Sequence, residues 1–319
     1  MTVAPSIDVV VTSYRRPGPL ARCLDALEEQ DVEPRRVVVV ARGDDRATVD
    51  VVTARANPVT LVTVAEPGVL AAQRAGVART AADVVAFTDD DSRPRHDWIA
   101  RLTEWFSRND VGAVGGRDIQ RGREPDGARV VGRLSPWGRM TGNHDVGAGP
   151  PRDVDVLKGV NLAVRSVALA LPAARLLESY GTAPHYEVVI TAWVARRGWR
   201  VVYDPSVAVD HEVAPRVDGA RLDDQRTDTA LVAAAATNRV VASTVLDRRR
   251  LVPQLFYGMA VGTRETPGLA RTAVAAWRGE DEIRGRLRPS LAGQLRGAWR
   301  VLTWSGPPVV TYADTRAMP

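Results

Sequence analysis

Cysteine is almost absent from this chain. Cys23 stands alone in 319 residues, so no disulfide can form within the chain and no cysteine-held metal cluster can be built. Lysine is as scarce, Lys158 being the only one among 43 basic side chains. No apolar run approaches the roughly 20 residues needed to span a bilayer. The first six residues have neither the basic start nor the apolar core of a secretory signal. Together these absences point to a reducing, cytoplasmic setting.

What remains is an ordinary globular composition, 45% hydrophobic and 25% charged, long enough for one large domain or two small ones. The net charge of +5 hides an asymmetry. Residues 1–211 carry 27 basic and 27 acidic side chains, whereas residues 212–319 carry 16 and 11. The whole excess therefore lies in the last third, which suits an anionic partner such as a lipid headgroup.

The first half reads as strands alternating with helices. Ile7–Thr12, Val37–Val40, Val59–Val64 and Val84–Thr88 are short, β-branched, buried-type runs. Between them lie helical patterns: one started by Pro19 with Leu20, Leu24 and Leu27 on one face and Cys23 as packing, one over Thr48–Ala56, and one over Leu70–Thr80. This alternation predicts a doubly wound, mostly parallel α/β sheet. A helix over Asp97–Ser107, with Trp98, Leu102, Trp105 and Phe106 as its apolar face, and a strand over Val111–Gly115 follow.

From Gly116 to Asp155 periodicity fails, which in a compact domain marks a functional loop when residues such as Trp137, Asn143 and His144 punctuate it. Val156–Arg165 reads as an edge strand, Tyr186–Arg197 as a helix, and Trp199–Pro205 as a strand and turn leading to His211. Thr229–Leu246 is an alanine-rich helix. The tail ends in an amphipathic helix with Leu291, Leu295, Ala298 and Leu302 on one side and Arg296 and Arg300 on another. That helix either packs on the rest of the chain or makes peripheral membrane contact.

The chain is organised around Val84-Val85-Ala86-Phe87-Thr88-Asp89-Asp90-Asp91. A buried-type strand runs into three carboxylates, and Ser92-Arg93-Pro94 cannot continue a central strand. The acids thus sit at a strand's C-terminal end, where open α/β sheets place ligands. Asp89 and Asp91, at alternate positions, point the same way and can share a hard cation. A solvated acidic turn ahead of the Asp97 helix is the other reading of these residues alone.

Four motifs, in order, resemble the family 2 glycosyltransferases of GT-A fold. They are Val9–Pro17 as first strand and base-contacting loop, Pro67-Gly68-Val69-Leu70-Ala71-Ala72 with Gly76 as the glycine-led helix, Phe87–Asp91 as the DxD segment, and Arg196–Pro205 followed by His211 as the end of the catalytic domain. The resemblance covers about residues 1–212. It implies a GT-A domain whose nucleotide-sugar half is 1–115 and whose acceptor and catalytic half is 116–212, with a mainly helical extension over 213–319.

The resemblance also implies roles. Asp91 becomes the direct ligand of Mn²⁺ or Mg²⁺, with Asp89 on metal or ribose and His211 completing the set; Asp90 joins the nucleotide-sugar contacts or serves the fold. Thr12, Tyr14 and Arg16 belong to the nucleotide-binding loop. The loop after the second strand reads Ala41-Arg42-Gly43-Asp44-Asp45 rather than Asp-Asp-Gly-Ser, so Asp44 or Asp45 takes the base-reading role. Arg74 stands one place late for the diphosphate contact.

Counting back from Gly198 puts Tyr186-Glu187 where the family has Glu-Asp, which makes Glu187 the general base of an inverting transfer. His185 is incidental beside it, and Arg216 is a further phosphate contact. Lys158, Gly159 and Asn161 resemble the segment beside the acceptor, with Tyr186 and Trp137 joining that side. The implied partners are a nucleotide-diphosphate sugar, with UDP ahead of dTDP or GDP, and an acceptor hydroxyl on a glycan, lipid-linked or natural-product molecule. No nucleic-acid partner is implied. Two other classes share these features: a non-catalytic nucleotide-sugar-binding protein, and another α/β nucleotide enzyme such as a nucleotidyltransferase. Retention of Glu187, Asp91 and His211 argues against the first. The lack of any lysine before Lys158 argues against a phosphate loop of the second kind.

Overall fold

A computed structural model describes residues 4–127, 129–179, 182–213 and 229–317. The expected contact at Arg216 lies outside these residues. The first half follows the alternation of the sequence: β1 (Ile7–Ser13), α1 (Pro17–Glu28), β2 (Arg36–Arg42), α2 (Arg46–Thr53), β3 (Thr60–Val64), α3 (Val69–Val77) and β4 (Val84–Asp89). The short β5 (Ser92–Pro94), α4 (Trp98–Phe106) and β6 (Val111–Ile119) come next. Strands β3, β2, β1 and β4 lie side by side and parallel, so their C-terminal ends share one edge.

The region 116–155 is ordered by small pairings. β7 (Arg133–Leu134) and β8 (Met140–Thr141) form a hairpin, and β9 (Arg152–Asp153) pairs with β12 (Arg200–His211). β10 (Asn161–Arg165) corrects an expectation: it is central rather than an edge strand, inserted antiparallel between β4 and β6. Its residues Asn161–Val164 are all buried, which requires neighbours on both sides. β11 (Ala170–Pro172) and α5 (Tyr186–Arg196) follow it.

β12 corrects a second expectation, because Pro205 does not end it. The pairing with β6 jumps from Asp204↔Gly116 to Val209↔Asp118, so Pro205 falls in a bulge, where its missing N–H breaks no ladder bond. Gly116 makes the bulge possible, since a Cβ there would lie 1.6 Å from the Val207 carbonyl oxygen. The full sheet runs β3-β2-β1-β4-β10-β6-β12-β5. Leu20, Leu24, Trp98 and Leu102 of α1 and α4 cover one face, and Leu70, Val77, Val189 and Val194 of α3 and α5 cover the other.

The C-terminal part is mainly helical: α6 (Thr229–Thr244), α7 (Leu251–Ala260), α8 (Leu269–Trp277), α9 (Asp281–Gly285), α10 (Leu287–Thr303), β13 (Val309–Thr311) and α11 (Tyr312–Ala317). β13 pairs with β11, which ties the extension to the sheet domain. α10 packs on α6 through small residues: a Cβ on Gly293 would lie 2.2 Å from the Ala233 carbonyl oxygen, and one on Gly297 2.7 Å from Val240 Cβ. Its packed face is therefore Ser290, Gly293, Gly297 and Val301 with Ala298, while Leu295 and Leu302, read as part of the apolar face, are exposed. No helix among the described residues is long and apolar enough to cross a membrane.

Candidate active site

The acids at the end of β4 meet a histidine from the far end of the domain. β5 pairs with β12 so that Ser92 faces His211, and the Glu212 N–H donates to the Asp91 carbonyl at 3.0 Å. Ligand atoms of Asp89, Asp91 and His211 all lie within 4.8 Å of one another. Two carboxylates and an imidazole are a donor set that suits Mn²⁺, and bonds of about 2 Å to a common ion need only small side-chain rotations from this spread.

The imidazole is held in place. His211 Nδ1 lies 2.7 Å from Asp118 Oδ1, leaving Nε2 aimed at Asp91 Oδ1, 3.2 Å away. Such a carboxylate behind a ligating histidine orients its ring and strengthens it as a donor. Burial opposes ionisation of Asp118, but the His211 bond and the Lys158 charge outweigh it and hold this carboxyl well below its usual range. Burial likewise works against charge on His211, yet its bonds to Asp118 and Asp91 raise it to about 10. The ring is thus protonated without metal, and metal must displace that proton.

Sequence reasoning missed Asp118, because β6 was expected to stop at Gly115 and nothing local marks one Asp after Gly-Gly. It assigned Lys158 to the acceptor, whereas the ammonium donates to Asp118.

Asp90 turns away from the ligand group: Ser13 Oγ donates to it at 2.7 Å and Arg16 at 3.0 Å, and the same Arg16 nitrogen reaches Asp91 at 3.0 Å. Burial raises the Asp90 carboxyl to about 6, with Arg16 restraining the shift. Burial and the Asp91 charge also raise Asp89.

Glu187 opens α5 next to this centre. The Gly159 N–H lies 3.4 Å from its Oε1, and burial raises its carboxyl to about 7, with the Asp89 charge adding and the Lys158 charge opposing. Gly159 has to be glycine, since a Cβ would sit 2.0 Å from the Tyr186 hydroxyl. That hydroxyl accepts from Gln73 Nε2 at 2.9 Å; Tyr186 is a buried wall of the site, not the acceptor contact expected. His185 precedes it with φ 69°, and burial lowers its imidazole to about 3.

A cleft of about 400 Å³ lies over the ends of β1, β2 and β4, lined by Thr12, Tyr14, Arg16, Arg42, Gly68 and Asp89 among others. Tyr14 is flanked by Arg15 and Arg42, whose guanidinium carbons lie 5.0 and 5.7 Å from its ring centre. Asp44 pairs with Arg42 at 3.4 Å. Arg42, Glu66 and Thr182 also line the cleft and had no role in the sequence reading.

Four expected contacts are elsewhere. Asp45 is buried as the cap of α2, accepting from Thr48 N at 3.2 Å and from the Arg15 N–H. Asn161 is fully committed inside the sheet, accepting from Trp98 Nε1 at 3.0 Å and donating to the Val207 carbonyl at 2.8 Å. Arg74 lines a neighbouring hollow of about 290 Å³ with Arg175 and Arg300, and donates to the Pro172 carbonyl at 3.3 Å. Trp137 is half-exposed beyond the cleft, its ring 6.3 Å from that of Phe256.

A sheet whose parallel half ends in a carboxylate pair over a nucleotide-sized cleft, with antiparallel β10 inserted and a histidine returning from β12, has the architecture of the GT-A glycosyltransferases. Residues 8–148 match the family model "Glycosyl transferase family 2". The glycosyltransferase AglE of Haloferax volcanii is 26% identical over 167 residues, 50% of this chain and 53% of the relative. The chain thus spans about half the length of that curated relative.

Two solved structures share the fold. The mannosyltransferase PcManGT from Pyrobaculum calidifontis, in complex with GDP-Man and Mn²⁺, aligns with TM-score 0.52 at 19% identity over 95% of this chain and 88% of its own. GalNAc-T7 with UDP, GalNAc and Mn²⁺ aligns with TM-score 0.59 at 14% identity over 88% of this chain and 55% of its own.

Proposed function

We propose that the protein is a metal-dependent, inverting glycosyltransferase that moves a sugar from a nucleotide-diphosphate sugar to an acceptor hydroxyl. The observation that carries this reading is the position of the Glu187 carboxyl, raised to about 7, beside the Asp89–Asp91–His211 group at the edge of the cleft. Mn²⁺ or Mg²⁺ bound by these three residues would neutralise charge developing on the departing diphosphate. In this reading the nucleotide lies in the cleft along Thr12, Tyr14 and Arg42. Glu187 takes the acceptor proton as the hydroxyl attacks the anomeric carbon from the face opposite the leaving group, which inverts that centre.

UDP is the first donor nucleotide to test, ahead of dTDP and GDP. The acceptor enters on the side of Glu187 and Gly159, and belongs to glycans, lipid-linked molecules or natural products. Membrane contact through the C-terminal part fits the same reading. The test is a thermal-shift panel of UDP, GDP and dTDP with and without Mn²⁺: metal-dependent stabilisation by one of them is expected, and stabilisation by none would overturn the assignment. Anomeric configuration of the product then checks inversion.

A further inference from the structure

The helical extension is built inside out on one side. Among the described residues, nine of the fifteen exposed large apolar side chains lie between Val252 and Leu302. α10 shows Leu295, Trp299 and Leu302, spaced 4 and 3 residues apart and hence on one stripe. α8 shows Leu269, Val274 and Trp277 and buries only Ala275; α7 shows Val252 and Phe256. Trp277 is 84% exposed and Trp299 69%. Contiguous exposed apolar surface marks an interaction site, and tryptophan is the residue that favours the headgroup level of a bilayer.

The helices act as one unit. A Cβ on Gly258 of α7 would lie 2.4 Å from the Gln294 side chain of α10, and one on Gly268, just before α8, 2.5 Å from the Met259 carbonyl oxygen. Their charge is as biased as their polarity. Residues 248–304 carry 11 arginines and 4 acids, +7 where the whole chain sums to +5, so the remainder is −2. Arg271 and Arg278 on α8 and Arg288 on α10 form no ion pair among the described residues.

We propose that α7, α8 and α10 form the face by which the protein docks on an anionic lipid bilayer. Apolar stripes flanked by unpaired arginines are the pattern of helices that lie in the membrane interface rather than cross it. Charge disfavours the other simple occupant: a two-fold dimer through this face would press two surfaces of the same positive sign together. The Trp137–Phe256 contact joins the face to the irregular segment after β6. If transfer proceeds as proposed above, the acceptor side of the cleft then opens towards the lipid; docking itself does not depend on that reading.

The experiment is co-sedimentation of the full chain with vesicles of phosphatidylcholine alone and of phosphatidylcholine with phosphatidylglycerol. Binding to the anionic vesicles is expected to exceed that to the neutral ones by about tenfold or more, to weaken with salt, and to bring quenching of tryptophan emission by brominated lipid. The double variant Trp277→Glu/Trp299→Glu should lose binding, and Arg271→Glu/Arg278→Glu should lose only the preference for anionic lipid. Both should keep the metal-dependent nucleotide thermal shift, which separates failure of docking from failure of the transfer reading. No vesicle binding, binding indifferent to both variants, or a wild-type dimer in light scattering that Trp277→Glu/Trp299→Glu dissociates would each overturn the proposal.

Discussion

The sheet domain and the helical extension bury opposite things. Around the sheet, valine, leucine and tryptophan point inward, and the buried carboxylates of the site have partners: Asp118 with His211 and Lys158, Asp90 with Ser13 and Arg16. In the extension, Gln254, Gln294 and Ser290 are completely buried with side-chain atoms that find no protein partner, while Trp277 and Trp299 stand in solvent. A buried polar group left unpaired costs about 1–3 kcal/mol, so this seam needs bridging water. The difference teaches that polarity was placed for function in the first region and for close helix approach and an outer surface in the second.

The sharpest break in that comparison comes from Glu187→Gln, which removes the proposed base and leaves the fold. Turnover should fall by about a hundredfold to ten-thousandfold while Mn²⁺-dependent nucleotide binding persists; wild-type turnover would remove Glu187 from the mechanism. Asp118→Asn, which loosens His211, should weaken Mn²⁺ affinity by about 10–100-fold in a metal titration, with turnover restored at saturating metal.

The pH profile reports the same buried carboxyl. Because burial raises Glu187 to about 7, its base form exists above that pH and is lost below it, so kcat/KM should drop about tenfold per unit on the acid side. An acid limb near pH 4 would mean a solvated carboxylate.

Substitutions in the buried seam of the extension should change stability and leave turnover unaffected. Gly293→Val pushes a branched side chain into α6 and should cost about 1–3 kcal/mol in denaturant unfolding. Smallest of all, Gln294→Met exchanges an unpartnered amide for an apolar chain of like size. It should leave stability unchanged or raise it by about 1 kcal/mol, and a clear loss would show that water satisfies the amide well.

The parallel half was legible because each strand is a short β-branched run and each helix repeats at its own period. The inserted strand was not, since Leu162-Ala163-Val164 reads the same in the middle of a sheet as at its border; strand order is decided by partners far along the chain. Pro205 misled for a related reason: a proline forbidden in a regular ladder is permitted at a bulge, and the bulge depends on Gly116 across the pair.

Among the candidate site residues, Asp89, Asp91 and His211, marked by their spacing from recognisable motifs, are brought within 4.8 Å of one another. Asp45 and Asn161 could not be told from their structural counterparts, because a cap and a ligand contact use the same short polar side chains. In α10 the apolar side chains lie outside, because glycines let the helix sit too close to α6 for larger residues to fit between.

The β5–β12 ladder has a further consequence for how the protein comes into being on the ribosome. Asp89 and Asp91 emerge early, but their histidine partner is 120 residues later and reaches them only when the last strand of the sheet docks on Ser92. A nascent chain halted before His211 would carry two thirds of the ligand set and no tight ion. Metal uptake would therefore report that the sheet has been completed, and manganese would add its binding energy to the final strand pairing rather than to the first.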